Sequence, residues 1–368
     1  MKKIYFFIGT TAELIKLAPV IKELKNRKAT FKIISSNQNS LDFNEVKFIT
    51  GGCKIDYVFK MKPFKRPKNI YLRFLVWIIK SIGNYLIYFK NEFKDDKNVL
   101  FIVHGDTVSS LIGAVVAKLC GVKLIHIESG LRSFDFFEPF PEEICRFVIS
   151  YLADVHYSPN KWSMDNLKNA YGMKINTFGN TVGESVNAVL RIGYDRKSQL
   201  GIKKGQKYFI LVIHRQEHTL FNNKETVKIL DTVFKQINEK LRCVFIMHRL
   251  TKNYLKSHSL YSKINKNPNI ILPDRLPYLS FIKLLNNAEF IASDGGTNQE
   301  EAYYLGKPCL ILRHKTERIE GLGKNAILLG DENKKITTFM KTYTKYKNRK
   351  VKIKVSPSQI IVNNLLNI

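Results

Sequence analysis

Residues 290–330 read FIASDGGTNQEEAYYLGKPCLILRHKTERIEGLGKNAILLG, and the reading of the fold starts from this stretch. A short apolar run ends at Ser293, as a buried strand would. Asp294, Gly295 and Gly296 then make a tight turn, and the spacing predicts a helix opening at Thr297. A second strand is expected over 308–312, with a charged loop beyond it carrying Arg313 and Arg318. Two glycines at a strand-to-helix turn let a ligand come close to the backbone. The first N–H groups of the following helix, with its dipole, favour an anion there. Glu300 and Glu301 lie inside that helix. A carboxylate repels a phosphate, so one of the two is expected to accept hydrogen bonds from sugar hydroxyls. Arg313 and Arg318 have the fork that grips phosphate oxygens in pairs. The stretch therefore reads as a cradle for a nucleotide sugar. An ordinary strand-to-helix turn with solvated acids is the plainer alternative, and the glycine pair alone does not exclude it.

The same strand–turn–helix grammar runs outward through the rest of the chain. Residues 4–8 form an apolar strand, Gly9-Thr10-Thr11 a turn, and 12–24 carry apolar positions at helical spacing. A second strand is expected over 31–35. Residues 99–103 form a near-continuous apolar run, the signature of a parallel strand covered on both faces. That run delivers His104-Gly105-Asp106-Thr107, and the strand at 123–127 delivers Glu128. Glu142 and Glu143 follow at the start of another helix, after the loop FFEPFPEE. Asp106, Glu128 and Glu142 are thus aimed at one edge of a sheet, and open parallel sheets gather their sites at that edge. The last strand of this half is expected at 154–158, with a hinge near 178–183. The pattern restarts at 208–213, which ends in His214-Arg215-Gln216-Glu217-His218. Further strands are expected at 243–247, 270–272 and 290–292, and a short helix at 356–368. The expected architecture is α/β: two Rossmann-like domains facing across a cleft, 1–178 and 179–355, with 356–368 as a helix packing back on the first.

At 368 residues the chain suits two such domains better than one core. Its formal net charge of +29 points to an anionic partner: nucleic acid, an acidic membrane surface or a charged polymer. Nucleic acid is the weakest of these, because no zinc-ligand spacing, recognition helix or stacking motif accompanies the lysines. A lysine-rich solvated surface is the plain alternative. Lys62, Lys65, Arg66 and Lys68 precede an apolar, aromatic helix that includes Trp77 and Tyr85. That helix reads as core packed on the sheet, with a rim suited to an anionic bilayer. The five cysteines are scattered and odd in number, so buried thiols in a reducing cytoplasm are expected rather than a disulfide frame. The opening MKKIYFFIGTT is too short in its apolar part for a signal peptide and reads as the first strand. No run reaches the roughly 18 apolar residues of a membrane helix.

In this order the motifs resemble those of the UDP-N-acetylglucosamine 2-epimerases, over nearly the whole chain. The family's GTRPE..K..P stands as Gly9-Thr10-Thr11-Ala12-Glu13 with Lys16 and Pro19, and its HGDT as His104 to Thr107. HxEAGLR corresponds to His126 to Arg132, PFPEE to Pro139 to Glu143, and GNT to Gly179 to Thr181. GHRREN matches Ile213 to His218, TDSGGIQEE matches Ser293 to Glu301, and RxxTERxE matches Arg313 to Glu320. The resemblance implies the GT-B fold, with UDP held mainly by the C-terminal half. It implies catalytic roles for Asp106, Glu128, Glu142 and His214. It also implies UDP or substrate contacts from Thr11, Lys16, Arg132, Arg215, Phe281, Gly295, Gly296, Thr297, Glu301, Arg313 and Arg318. No metal and no cofactor are implied. In the non-hydrolysing bacterial members UDP is eliminated across C1–C2 and re-added, which needs a base, an acid and stabilisation of the diphosphate.

Several positions depart from the family pattern. The opening arginine is Thr11, the TGQHRE loop is Ser36-Asn37-Gln38-Asn39-Ser40, and the MKPGQ loop is Met61-Lys62-Pro63-Phe64-Lys65. The SGG triplet is Gly295-Gly296-Thr297, and GHRREN has lost its glycine and asparagine. The altered loops imply loss of a second, allosteric substrate site. The expected activity is interconversion of UDP-GlcNAc and UDP-ManNAc for surface-polysaccharide synthesis, in the cytoplasm or at the inner face of the membrane. A GT-B glycosyltransferase with a UDP-sugar donor and a membrane-associated acceptor is the alternative, followed by a hydrolysing epimerase and a non-catalytic nucleotide-binding module. The expected partners are a UDP-sugar, a second copy in a homodimer and an anionic membrane surface, with no nucleic acid.

Overall fold

The computed structural model describes residues 2–60, 70–94, 96, 98–193, 200–203, 205–215 and 223–368. The basic run Lys62, Lys65, Arg66 and Lys68, the loop beginning at Met61, and Gln216 to His218 lie outside them. The chain divides into two compact units, 1–185 with 354–368, and 186–353.

The first unit alternates strand and helix: β1 (Lys3–Ile8), α1 (Thr11–Asn26), β2 (Phe31–Ser35), α2 (Lys47–Thr50), β3 (Tyr57–Val58), α3 (Ile70–Glu92), β4 (Val99–His104), α4 (Val108–Leu119) and β5 (Lys123–Ile127). It continues through α5 (Glu142–Leu152), β6 (Val155–Ser158), α6 (Lys161–Asp165) and β7 (Met173–Asn176), and the unit boundary falls inside α7 (Val182–Leu190). The described strands form a parallel sheet of order β3-β2-β1-β4-β5-β6-β7. The half therefore ends one strand later than the sequence suggests. Residues 173–176 are only half-buried at best, so no apolar run announces them. β4 is buried at every position, which is why its sequence is apolar without alternation.

Helix α3 brings Tyr85 and Phe89 to the aromatic side of this core. With Phe93 just beyond the helix, they pack with Tyr5, Phe7, Phe59 and Phe101, while Ile79 and Ile87 of α3 are exposed. The Tyr85 hydroxyl donates to the Ser36 carbonyl at 2.8 Å, fixing the helix over the end of β2. Among the described residues no helix is long and apolar enough to cross a membrane.

The second unit contains β8 (Tyr208–Val212), α8 (Asn223–Phe234), β9 (Arg242–Ile246), α9 (Arg249–Ser257), α10 (Leu260–Asn265), β10 (Ile270–Ile271) and α11 (Tyr278–Asn287). It closes with β11 (Ile291–Ser293), α12 (Gly296–Leu305), β12 (Cys309–Ile311), β13 (Ala326–Leu328) and α13 (Lys334–Thr342). Its parallel sheet runs β10-β9-β8-β11-β12-β13. Phe209 and Phe290 stack at 4.7 Å at its centre. The chain then returns to the first unit as α14 (Pro357–Asn367), which buries Ile361, Val362 and Leu365. All five cysteines are free.

Candidate active site

In the first unit the candidate groups sit where parallel strands end. After β4, Gly105 takes a left-handed conformation (φ +63°) and Thr107 caps α4, its hydroxyl accepting from the Ser110 N–H at 3.0 Å. Asp106 is held between them and pairs with Arg146 of α5. Arg146 also donates to Glu143 at 2.9 Å. Glu143 is fully buried and takes further hydrogen bonds from Arg132 Nε at 2.5 Å and the Ser133 N–H at 3.0 Å. Arg132, expected at the substrate, is thus anchored to Glu143, with its guanidinium 5.3 Å from the Phe134 and Phe147 ring centres. Glu142, the first residue of α5, is half-buried beside this network. Burial, then the charges of Asp106 and Glu142, push the Cys145 thiol up to about 12, so both acids bear on the same point.

Glu128 follows β5 and adopts φ +65°, a left-handed conformation uncommon for a residue with a side chain. Its Oε1 accepts from Lys16 Nζ and Asn180 Nδ2, each at 2.5 Å, and its Oε2 lies 4.0 Å from His104 Nδ1. A Cβ on Gly105 would come within 3.1 Å of that Oε2, so the β4 turn and Glu128 are in contact. Lys16 is 3% exposed and pairs with the Glu128 carboxylate. Thr11 is buried as the first residue of α1. His126 Nε2 donates to the Gly105 carbonyl at 2.7 Å, and burial lowers its pKa to about 3, so the ring is neutral with its proton on Nε2. A small cavity beside Glu128 is lined by Tyr157, Thr177, Asn180 and Ile361.

In the second unit Asp294 is fully buried at the end of β11. It accepts the N–H groups of His214 and Arg215, both at 2.9 Å, and Arg215 Nε donates to its carbonyl at 3.0 Å. His214 Nδ1 lies 3.0 Å from Asp294 Oδ1 without the alignment of a hydrogen bond. Its ring stacks on His248 at 4.9 Å, and burial, then His214, hold His248 down at about 4. Helix α12 opens at Gly296, one residue earlier than the sequence suggests, with Gly295 at its cap. A Cβ on Gly295 would meet Asn298 Oδ1 at 2.6 Å and His214 Cε1 at 2.9 Å; on Gly296 it would meet Glu317 Oε1 at 2.5 Å. The glycine pair therefore makes room for the protein's own side chains. Glu317 receives Arg313 Nη1 at 2.9 Å and also pairs with Arg318, while Arg215 Nη2 lies 3.9 Å away. Arg318 Nε donates to Glu300 at 2.8 Å. The arginines expected on phosphate are gathered around internal carboxylates. Thr297 is half-buried in the first turn of α12, Glu301 is buried one turn further on, and Phe281 is half-buried on α11.

The UDP-N-acetylglucosamine 2-epimerase family model matches residues 23–357. The chain belongs to that family. A UDP-N-acetylglucosamine 2-epimerase of Methanococcus maripaludis is 32% identical over 349 residues, spanning 91% of this chain and 90% of the relative. Among solved structures, the Methanocaldococcus jannaschii UDP-GlcNAc 2-epimerase in complex with UDP-GlcNAc and UDP superposes with a TM-score of 0.84 at 27% identity, over the whole of both chains. The Neisseria meningitidis UDP-GlcNAc 2-epimerase bound to UDP-GlcNAc gives 0.81 at 28% identity, again over both whole chains. The two-sheet α/β architecture is that of the GT-B fold.

Within this epimerase family member, the sequence alone passes over several of the groups that organise the site. Asn180 reads as part of a hinge and Asp294 as a turn residue, yet they hold Glu128 and His214. Arg146 stands alone among apolar neighbours in 144–149, and Glu317 reads only as one charge among several in 313–320. His248 follows the end of β9, so the strand-end rule that selects Asp106 and Glu128 would also have selected it.

Proposed function

We propose that the chain interconverts UDP-GlcNAc and UDP-ManNAc by elimination and re-addition of UDP. In the elimination the C2–H bond breaks and its proton passes to an enzymic base. The C–H electron pair forms the C1=C2 double bond as the C1–O bond breaks, and UDP leaves with the electron pair of that C1–O bond. Re-addition returns a proton to C2 on the opposite face while UDP re-attacks C1. Asp106, Glu128 and Glu142 are proposed to act on the sugar as proton carriers and charge stabilisers, and His214 and Arg215 on the diphosphate. Glu301 is proposed to accept from the ribose hydroxyls. The observation that carries the reading is Glu128. A buried carboxylate in a left-handed conformation, held by Lys16 and Asn180 against the turn that presents Asp106, is costly unless it is used. A glycosyltransferase needs only one base, so it gives no reason to keep this whole set.

The test is proton NMR of UDP-GlcNAc incubated with the protein in D₂O. The expected outcome is loss of the C2 proton signal with appearance of UDP-ManNAc. Intact C2 protons in the presence of a turned-over donor would exclude elimination. A homodimer and a salt-sensitive contact with an anionic membrane are separate proposals. The charge of +29 supports the membrane contact and the exposed Ile79 and Ile87 of α3 suit either; light scattering tests the dimer and flotation with anionic vesicles the membrane contact.

A further inference from the structure

One hydrogen-bond relay in the second unit has no part in the fold's regular ladder. The Gly295 N–H donates to Ser293 Oγ at 3.0 Å. Ser293 Oγ donates to Asn298 Oδ1 at 2.8 Å, and Asn298 Nδ2 donates to Glu301 Oε2 at 2.9 Å. Every donor meets an acceptor in one direction, and the amide cannot turn over without facing its oxygen to the carboxylate. Positions 298 and 301 lie one turn apart on the same face of α12, which is what brings the amide to the carboxylate. Gly295 belongs to the same construction: a Cβ there would lie 2.6 Å from Asn298 Oδ1 and force the amide away. The family motif TDSGGIQEE carries isoleucine at the place of Asn298, and an alkyl side chain offers no such bond.

We propose that Asn298 is a positioning residue that fixes the Glu301 carboxylate for recognition of the ribose of the bound nucleotide. The proposal rests on the reading of Glu301 as the ribose acceptor. A carboxylate on a helix samples several rotamers, and binding must otherwise restrict them at an entropic cost. The amide sets the carboxylate plane before the nucleotide arrives. Ser293, at the end of β11, ties that amide to the sheet rather than to the helix alone.

The experiment compares UDP with 2′-deoxy-UDP and 3′-deoxy-UDP by calorimetry, for wild type, Asn298→Ala, Asn298→Ile and Glu301→Ala. Wild type is expected to prefer UDP over at least one deoxy analogue. Glu301→Ala is expected to abolish the preference. Asn298→Ala and Asn298→Ile are expected to reduce it by roughly 3- to 10-fold, the size of one hydrogen bond's contribution. Isoleucine is the family's residue here, so that variant guards against a result caused by misfolding. If both Asn298 variants weaken UDP and its deoxy analogues by one common factor, Asn298 is structural and the proposal fails. It also fails if the preference survives intact in those variants while Glu301→Ala removes it. No preference in wild type overturns the ribose reading of Glu301 itself.

Discussion

At the scale of single residues, the first unit buries ionisable groups whose effects on stability run in opposite directions. Glu13 accepts the Gly9 N–H at 2.6 Å and the Ser110 hydroxyl at 3.3 Å, and burial raises its pKa from 4.5 to about 7. Between those two values the folded chain keeps a proton that the unfolded chain has lost. Stability therefore falls as pH rises through the window and levels off above it. The shift corresponds to ~3 kcal/mol. His126 works the other way: its folded pKa of about 3 lies below the usual 6.5, so its contribution is complete above 6.5 and is lost as pH falls. The difference between Glu13→Gln and wild type isolates the glutamate, because His126 contributes to both. In urea unfolding at a series of pH values, the variant should gain on wild type from pH 4.5 to 7. A difference that does not change with pH would mean that Glu13 titrates normally in the fold. The residues themselves were legible: Asp106, Glu128 and Glu142 stand where strands or helices begin and end. Their partners were not, because Lys16 and Glu128 are 112 positions apart and meet only when α1 and the end of β5, two strands from β1, come together in the fold.

Among elements, the connection from β5 to α5 does the most to shape the first unit's site, and Gly130 is its tightest point. Gly130 has φ +83°, and a Cβ there would lie 2.0 Å from the Ser163 carbonyl oxygen of α6. Asn166 donates to the Gly130 carbonyl at 2.9 Å from the same side. Gly121 offers the contrast, with φ +69° and nothing within 4 Å of its Cβ position. Gly121→Ala should cost only the left-handed strain of about 1–2 kcal/mol. Gly130→Ala must also push α6 away, so its cost should exceed ~3 kcal/mol. Equal midpoints for the two variants in chemical denaturation would show that α6 yields freely. Elements were read well where burial imposes an unbroken apolar run, as in β4 and β8. β3 and β7 escaped because short strands at a sheet edge expose their side chains and leave no such run.

For the whole molecule, the sequence divides the chain into two halves of the right kind but sets the first junction at 178/179. The structure places it at 185/186, inside α7, where an uninterrupted helix gives no compositional break. The return of the chain to the first unit is the stronger structural fact. Ser358 N–H donates to Glu184 at 3.1 Å, and the Tyr157 hydroxyl donates to Asn364 at 2.8 Å. Ile361, Val362 and Leu365 are buried, and Ile361 lines the cavity beside Glu128. Three aliphatic side chains removed from water are worth ~5 kcal/mol, even allowing for a compact unfolded state. A chain ending before Ser356 should therefore lose hydrogen-exchange protection in β1, α1 and β4 to β6, while β8, β9 and β11 keep theirs. Turnover should fall with it, since Glu128 loses one wall of its surroundings. Protection lost equally from both sheets would show that α14 stabilises the molecule as a whole and not the first unit. Unchanged protection would show that the helix merely rests on the surface, against the burial of Ile361 and its neighbours.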